Sequence, residues 1–298
     1  MTQERRNPRS VDIDLFTTER ILKIINTEDA LVPGAVAAAI PEIAKLVDLA
    51  AQSIRAGGHV FYVGTGTSGR IAIVDAVECP PTFGTPAEWV QPVIAGGTRA
   101  FTQSIEGSED DEERAAVDLK SKRLTKDDVV IGIAASGSTP YTQAALEFAK
   151  TKGAKTAAIS CVENSPIAKL ADFSIYIAVG PEVITGSTRM KAGTAQKLVL
   201  NMFSTALMIR LGMTYSNWMI NVGMTNKKLR SRGKQILQEI LGVKPDEADN
   251  LVEQSGSNLR VAVIMGATGC DREEAERRLA ESNGNLRSVL GHLGSGRE

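Results

Sequence analysis

Five short apolar runs punctuate the chain between residues 59 and 179. They read HVFYVG (59–64), EWVQPVIAG (88–96), DVVIGIAAS (128–136), KTAAISC (155–161) and FSIYIAV (173–179). Each is rich in Val, Ile or aromatic residues and bounded by Gly, Ser, Asp or Asn, which predicts strands. The intervening stretches 70–78, about 108–123, 140–152 and 165–171 carry helical patterns. This alternation predicts an α/β fold, a parallel sheet with helices on both faces. Residues 17–57 read as helices, with Thr17 or Thr18 as N-cap and Pro33 and Pro41 as breaks or first-turn residues. Residues 189–212 predict a long buried helix. From about 226 the chain turns to charged amphipathic segments with no strand pattern, which predicts a small helical subdomain. The expected organisation is a helical segment over 1–45, the α/β domain over 46–225 and the helical subdomain over 226–298. No long-period repeat is expected.

Composition narrows the function classes. The chain has 298 residues, 43% of them hydrophobic, enough for a substantial core. With 34 basic and 35 acidic residues the formal net charge is -1, which argues against a nucleic-acid partner. The three cysteines, Cys79, Cys161 and Cys270, are far apart and odd in number, so a reducing, cytoplasmic location is expected. The first ten residues are charged and show no secretory pattern. The apolar stretch Leu198–Ile209 is too short and too polar to span a bilayer, so no membrane partner is expected. Only two histidines are present, His59 and His292, so catalysis must rest largely on other groups.

Two turns carry candidate chemistry. VGTGTSGR follows the first strand and AASGSTPY the third. Both put small hydroxylated residues where a strand hands over to a helix, the edge of an open α/β sheet where ligands bind. Glycine allows close backbone approach, hydroxyls donate, and a helix N-terminus favours an anion. Such residues are also common caps and turns. The first turn lacks the full dinucleotide fingerprint and the GK[ST] of a Walker loop. Two such turns on neighbouring strands favour a small phosphorylated ligand. The expected ligand contacts are Thr67, Ser68 and Gly69 in the first turn and Ser136, Gly137, Ser138 and Thr139 in the second. A third segment, TGSTRMKAGTAQ, adds Ser187, Arg189 and Lys191. Its cations oppose the macrodipole at a helix start, which points to a ligand or a partner subunit's carboxylate.

The paired turns resemble the sugar isomerase (SIS) phosphosugar-binding domain. More narrowly, GTGTSGRIAIVDAVECPPTFG, EGSED, GIAASGSTPY and TGSTRMKAGTAQKLVLNM are similar to the N-acetylmuramic acid 6-phosphate etherase family, over about Leu15 to Asn226. The resemblance implies a SIS-type three-layer αβα sandwich, a phosphosugar substrate, a homodimer and no cofactor or metal. It implies cleavage of a D-lactyl ether by elimination and water addition. It also implies that the catalytic carboxylates are Glu78, in the D-A-x-E-C-P-P motif, and Glu109, in the E-G-x-E-D motif.

The chemistry agrees with an acid and a base. The C1 aldehyde of the open-chain sugar acidifies the C2 proton, so one base and one acid suffice for elimination. Glu78 is expected at the end of an apolar helix stopped by Pro80 and Pro81, where macrodipole and apolar surroundings favour protonation. Glu109 is expected at a helix start, where acidic runs are usually solvated. Without the resemblance, Glu106 and Asp110 are equal candidates. Cys79 has no neighbouring His to activate it, so packing explains it better. Two other readings remain open. A non-catalytic phosphosugar sensor like the glucokinase regulatory protein would need the turns but not the two carboxylates. An aldose–ketose isomerase would also need a base near C2.

Overall fold

The computed structural model describes residues 5–221, 223–224 and 227–291, so His292 lies outside the described residues. Five parallel strands form one sheet in the order β2-β1-β3-β4-β5. They are β1 (Val60–Gly64), β2 (Val90–Ile94), β3 (Val129–Ile133), β4 (Lys155–Ser160) and β5 (Phe173–Tyr176). Each falls inside one of the five apolar runs. The register is in step across the centre: Val60 pairs with Val90 and Val129, and Gly64 with Ile94 and Ile133. Every residue of β1 and β3 is buried, as expected for strands covered on both faces.

Thirteen α-helices are described. They are α1 (Thr18–Asp29), α2 (Val32–Ala37), α3 (Ile40–Arg55), α4 (Gly66–Phe83), α5 (Glu112–Ser121), α6 (Pro140–Thr151), α7 (Pro166–Leu170), α8 (Lys191–Arg210), α9 (Lys227–Leu241), α10 (Pro245–Gln254), α11 (Leu259–Thr268), α12 (Arg272–Glu281) and α13 (Leu286–Leu290). Thr17 caps α1 by accepting from the Arg20 amide, and Pro33 and Pro41 occupy first turns. Alternate strand side chains face opposite layers. Phe61, Val63 and Val130 pack with Tyr141, Ala145 and Leu146 of α6. Tyr62 points the other way, edge-on to Phe203 of α8 and hydrogen-bonded to Asp75 of α4. No single helix among the described residues is long and apolar enough to cross a membrane.

Internal contacts divide the chain into two compact units. One holds the residues up to Val77 with Ala87–Leu207, and the other Glu78–Pro86 with the residues from Met208 onward. The second contains α9–α13 around a core of Ile236, Leu237, Val252, Leu259, Ile264 and Leu286.

That second unit corrects the expectation of no repeat. Asn258-Leu259-Arg260 recurs 27 residues later as Asn285-Leu286-Arg287, and Ala248 and Ser255 recur as Ala275 and Ser282. The structure repeats with the letters. Both α10 and α12 end in two consecutive left-handed residues, Gly256 and Ser257, then Asn283 and Gly284. Asn258 and Asn285 cap the next helices, accepting from the amides of Val261 at 3.3 Å and Ser288 at 3.2 Å. Ser255 and Ser282 donate to carbonyls three residues back. Hydrophobic periodicity does not register this repeat, because turns, caps and small residues carry most of it.

Candidate functional site

In the order 2-1-3-4-5 the chain leaves β1 toward one edge and returns to β3 on the other side. The turns after β1 and β3 therefore flank the switch point, where the carboxyl ends of parallel strands leave a crevice for ligands. These are the two Gly/Ser/Thr turns singled out by the sequence.

The first turn is tightly built. A Cβ on Gly64 would come within 3.0 Å of the Ile133 carbonyl oxygen, and one on Gly69 within 2.6 Å of Ile94 Cγ1. Gly69 is thus buried for strand–helix packing. Ser68 is 8% exposed and donates from Oγ to Gln196 Oε1 at 3.0 Å. The Gln196 side chain, 1% exposed, has no hydrogen-bond partner for its Nε2. Thr67 is half-buried at the start of α4.

The second turn is more open. Ser136, Ser138 and Thr139 are half-buried. Ser138 donates to Ser136 Oγ from its amide at 3.3 Å and its hydroxyl at 3.1 Å. Gly137 has φ +68°, and a Cβ there would collide with Ser165 at 2.3 Å. Thr139 occupies the N-cap of α6, yet its side chain caps none of the helix amides. Its hydroxyl and the first amides of α6 are suited to an anion.

The third segment departs from expectation. Ser187 is half-buried and Arg189 exposed. Lys191, expected to face a ligand, is 1% exposed and donates from Nζ to Glu28 Oε2 at 2.7 Å. Glu28 is itself 1% exposed and also accepts from Arg9 Nε. The start of α8 carries a second carboxylate. Glu182, fully buried, accepts from the amides of Lys191 at 3.0 Å and Ala192 at 2.9 Å. The carboxylate sought for Lys191 thus lies within the same chain. Burial pushes the Glu28 carboxyl up, but hydrogen bonds from Arg9, Lys191 and Asn7 outweigh it and hold it down to about 2. Nothing in the periodicity of α1 distinguishes Glu28 from its solvated neighbours.

A cavity of about 280 Å³ opens at the end of β1, lined by Thr65, Gly66, Arg70, Ser104, Glu106 and Glu109 among others. Glu109 lies in a 3-10 turn, Ser108–Asp110, that packs against α6. The helix starts later than predicted, because Asp111 is the cap that accepts from the Arg114 amide at 3.0 Å. Of the three acidic candidates, Glu106 and Glu109 line this cavity and Asp110 does not.

Glu78 also departs from expectation. Helix α4 does not stop at the prolines but runs through Pro80 and Pro81 to Phe83. The prolines cannot donate to Ala76 and Val77, yet their fixed φ suits a helix, and Gly84 closes the end by donating to the Pro80 carbonyl at 2.8 Å. Glu78 is exposed and more than a turn before the helix end. It thus lies neither in the last turn, where the macrodipole acts, nor in an apolar pocket. Cys79 is 4% exposed, consistent with packing.

Asp75, one turn earlier, carries no signal in the sequence pattern that sets it apart. It is 4% exposed and accepts from Tyr62 at 3.0 Å and Ser204 at 3.1 Å. Burial pushes its carboxyl up to about 6 against these hydrogen bonds and the nearby Lys197 charge.

The comparisons with known proteins agree with this architecture. Residues 42–150 match the glucokinase regulatory protein N-terminal SIS domain model and residues 112–206 the SIS domain model. The chain is 48% identical to N-acetylmuramic acid 6-phosphate etherase of Geobacillus thermodenitrificans (strain NG80-2), covering 97% of this chain and 98% of that protein. It is 46% identical to the etherase of the same name from Bacillus subtilis (strain 168), covering 98% and 96%. The solved structure of an E. coli CFT073 protein superimposes with a TM-score of 0.51 at 24% identity. It covers 68% of this chain and 97% of that one, a likeness of fold alone.

Proposed function

The chain belongs to the N-acetylmuramic acid 6-phosphate etherase family, and we propose that it divides the family's chemistry between Glu109 as base and Glu78 as acid. The protein is an etherase with a SIS-type α/β fold. It cleaves the D-lactyl ether of N-acetylmuramic acid 6-phosphate to N-acetylglucosamine 6-phosphate and D-lactate, a step in amino-sugar recycling.

In the open-chain sugar the C1 aldehyde acidifies the C2 proton. Glu109 first takes that proton, and Glu78 then protonates the lactate oxygen on C3. The C3–O bond breaks, leaving a C2=C3 double bond conjugated to the aldehyde. Water then adds at C3 and a proton returns to C2. Each step is a proton transfer or a water addition, within the reach of two carboxylates. The observation that supports Glu109 is the cavity at the carboxyl end of β1, which it lines together with the first Gly/Ser/Thr turn. Incubation with N-acetylmuramic acid 6-phosphate and assay for D-lactate tests the activity. An isomerase would change the sugar and release no lactate. A pure sensor would leave the sugar intact, and the full-length likeness to etherases does not favour it.

The 6-phosphate is assigned to the turns that flank the switch point, with Ser68, Ser136 and Thr139 as its principal contacts and Thr67, Gly69, Gly137 and Ser138 shaping the turns. Ser187 and Arg189, just before α8, are further proposed contacts. Lys191 is better assigned to the buried pair with Glu28. Replacing Ser136 and Thr139 together by Ala should raise KM many-fold, since hydrogen bonds to a charged group contribute about 1.5–3 kcal/mol each. An unchanged KM in that double variant would move the phosphate elsewhere.

A homodimer in the cytoplasm is the corresponding physical state. Val74 and Val77 on α4 and Met202 on α8 leave apolar surface exposed, which a second copy would cover. Sedimentation at micromolar concentration should give twice the 31.8 kDa chain mass, and a monomer there would rule the dimer out.

A further inference from the structure

The acidic loop over the cavity is braced by a side chain from another element. After β2 the chain passes through two left-handed glycines, Gly96 and Gly97, into a 3-10 turn, Gly97–Phe101. Residues 101–104, 106 and 107 are exposed, so the loop has little core of its own. Its apolar anchors are Ala100, 4% exposed, and Ile105. Both pack over Gly96, where an added Cβ would come within 3.3 Å of Ala100 Cβ and 3.1 Å of Ile105 Cβ. The amides of Thr102 and Gln103 both return to the Arg99 carbonyl, at 3.2 and 3.0 Å.

The carbonyls of this turn face Arg70. From the first turns of α4, Arg70 Nε donates to the Ala100 oxygen at 3.0 Å and the Phe101 oxygen at 3.2 Å. Its Nη2 donates to the Gln103 oxygen at 2.9 Å. A planar guanidinium with donors in a fixed fork can hold three carbonyls of one turn, which the compact ammonium of lysine cannot reproduce. α4 begins at the Gly66 turn, so Arg70 ties the acidic loop to the element that forms the cavity's other wall.

We propose that Arg70 is a positioning residue for the base. It clamps the 100–103 turn so that Glu106 and Glu109 stand over the β1–α4 turn. The proposal rests on Glu109 being the base. It goes beyond that assignment by making the loop's conformation depend on a side chain from another element.

Hydrogen exchange on the full-length protein, alongside kinetics of Arg70→Met and Arg70→Lys, tests it. In Arg70→Met the amides of 97–109 should exchange faster while those of β1 and β3 keep their protection. The kcat for D-lactate and the rate of C2 proton exchange should fall together by about 10²-fold, the order of loss expected from a misplaced catalytic group, with KM near its original value. Arg70→Lys should recover only part of both. Unchanged protection of 97–109 in Arg70→Met would overturn the proposal. So would a raised KM with unchanged kcat, which would make Arg70 a substrate contact. If Arg70→Met exchanges throughout the chain, Arg70→Lys is judged by the same local criterion. Wild-type turnover in Glu109→Gln would remove the base assignment, whereas the exchange result reads the clamp independently of it.

Discussion

Glu109→Gln should abolish both exchange of the C2 proton with deuterated solvent and release of D-lactate. Glutamine keeps the size and a hydrogen-bonding oxygen but cannot accept the proton at neutral pH. Loss of a general base typically costs about 10²–10⁴-fold in rate. Both readouts should fall together because proton removal precedes cleavage of the C3–O bond. Glu106→Gln is the internal comparison, since Glu106 lines the same cavity. If Glu106→Gln loses C2 exchange and Glu109→Gln does not, the base is Glu106.

Glu78→Gln should separate the two steps. If Glu78 only protonates the leaving oxygen, lactate release should fall by about 10²–10⁴-fold while C2 exchange continues, because the aldehyde activates that proton independently. Exchange lost in Glu78→Gln but kept in Glu109→Gln would reverse the two roles. Near-normal turnover in both variants would overturn the two-carboxylate mechanism. The acid role now stands on the motif position of Glu78 alone, since the residue is exposed and α4 continues past it.

The sheet was legible in the sequence because its information is local and repeated. Each strand is a short apolar run between turn formers, and all five strands fall where those runs are. The two Gly/Ser/Thr turns were legible for a related reason. Gly64, Gly69 and Gly137 stand where a Cβ would strike backbone or a neighbouring side chain, so the pattern of small residues records a steric demand. Other features depend on partners distant in sequence. Lys191 looks like a free cation until α1 brings Glu28 against it across 163 positions, and Glu182 supplies the negative charge that the start of α8 lacks locally. Pro80 and Pro81 look like a stop, because sequence alone cannot reveal that the helix tolerates two missing amides. Asp75 looks like any helical carboxylate until Tyr62 and Ser204 close around it. Sequence by itself therefore determined the α/β class, the strands and the location of the Gly/Ser/Thr turns, all consequences of short-range periodicity and glycine sterics. Only the tertiary structure decided which charges are spent inside the protein and which acidic side chains reach the cavity. Electrostatic pairing and burial are set by distances in space, which separation along the chain does not encode.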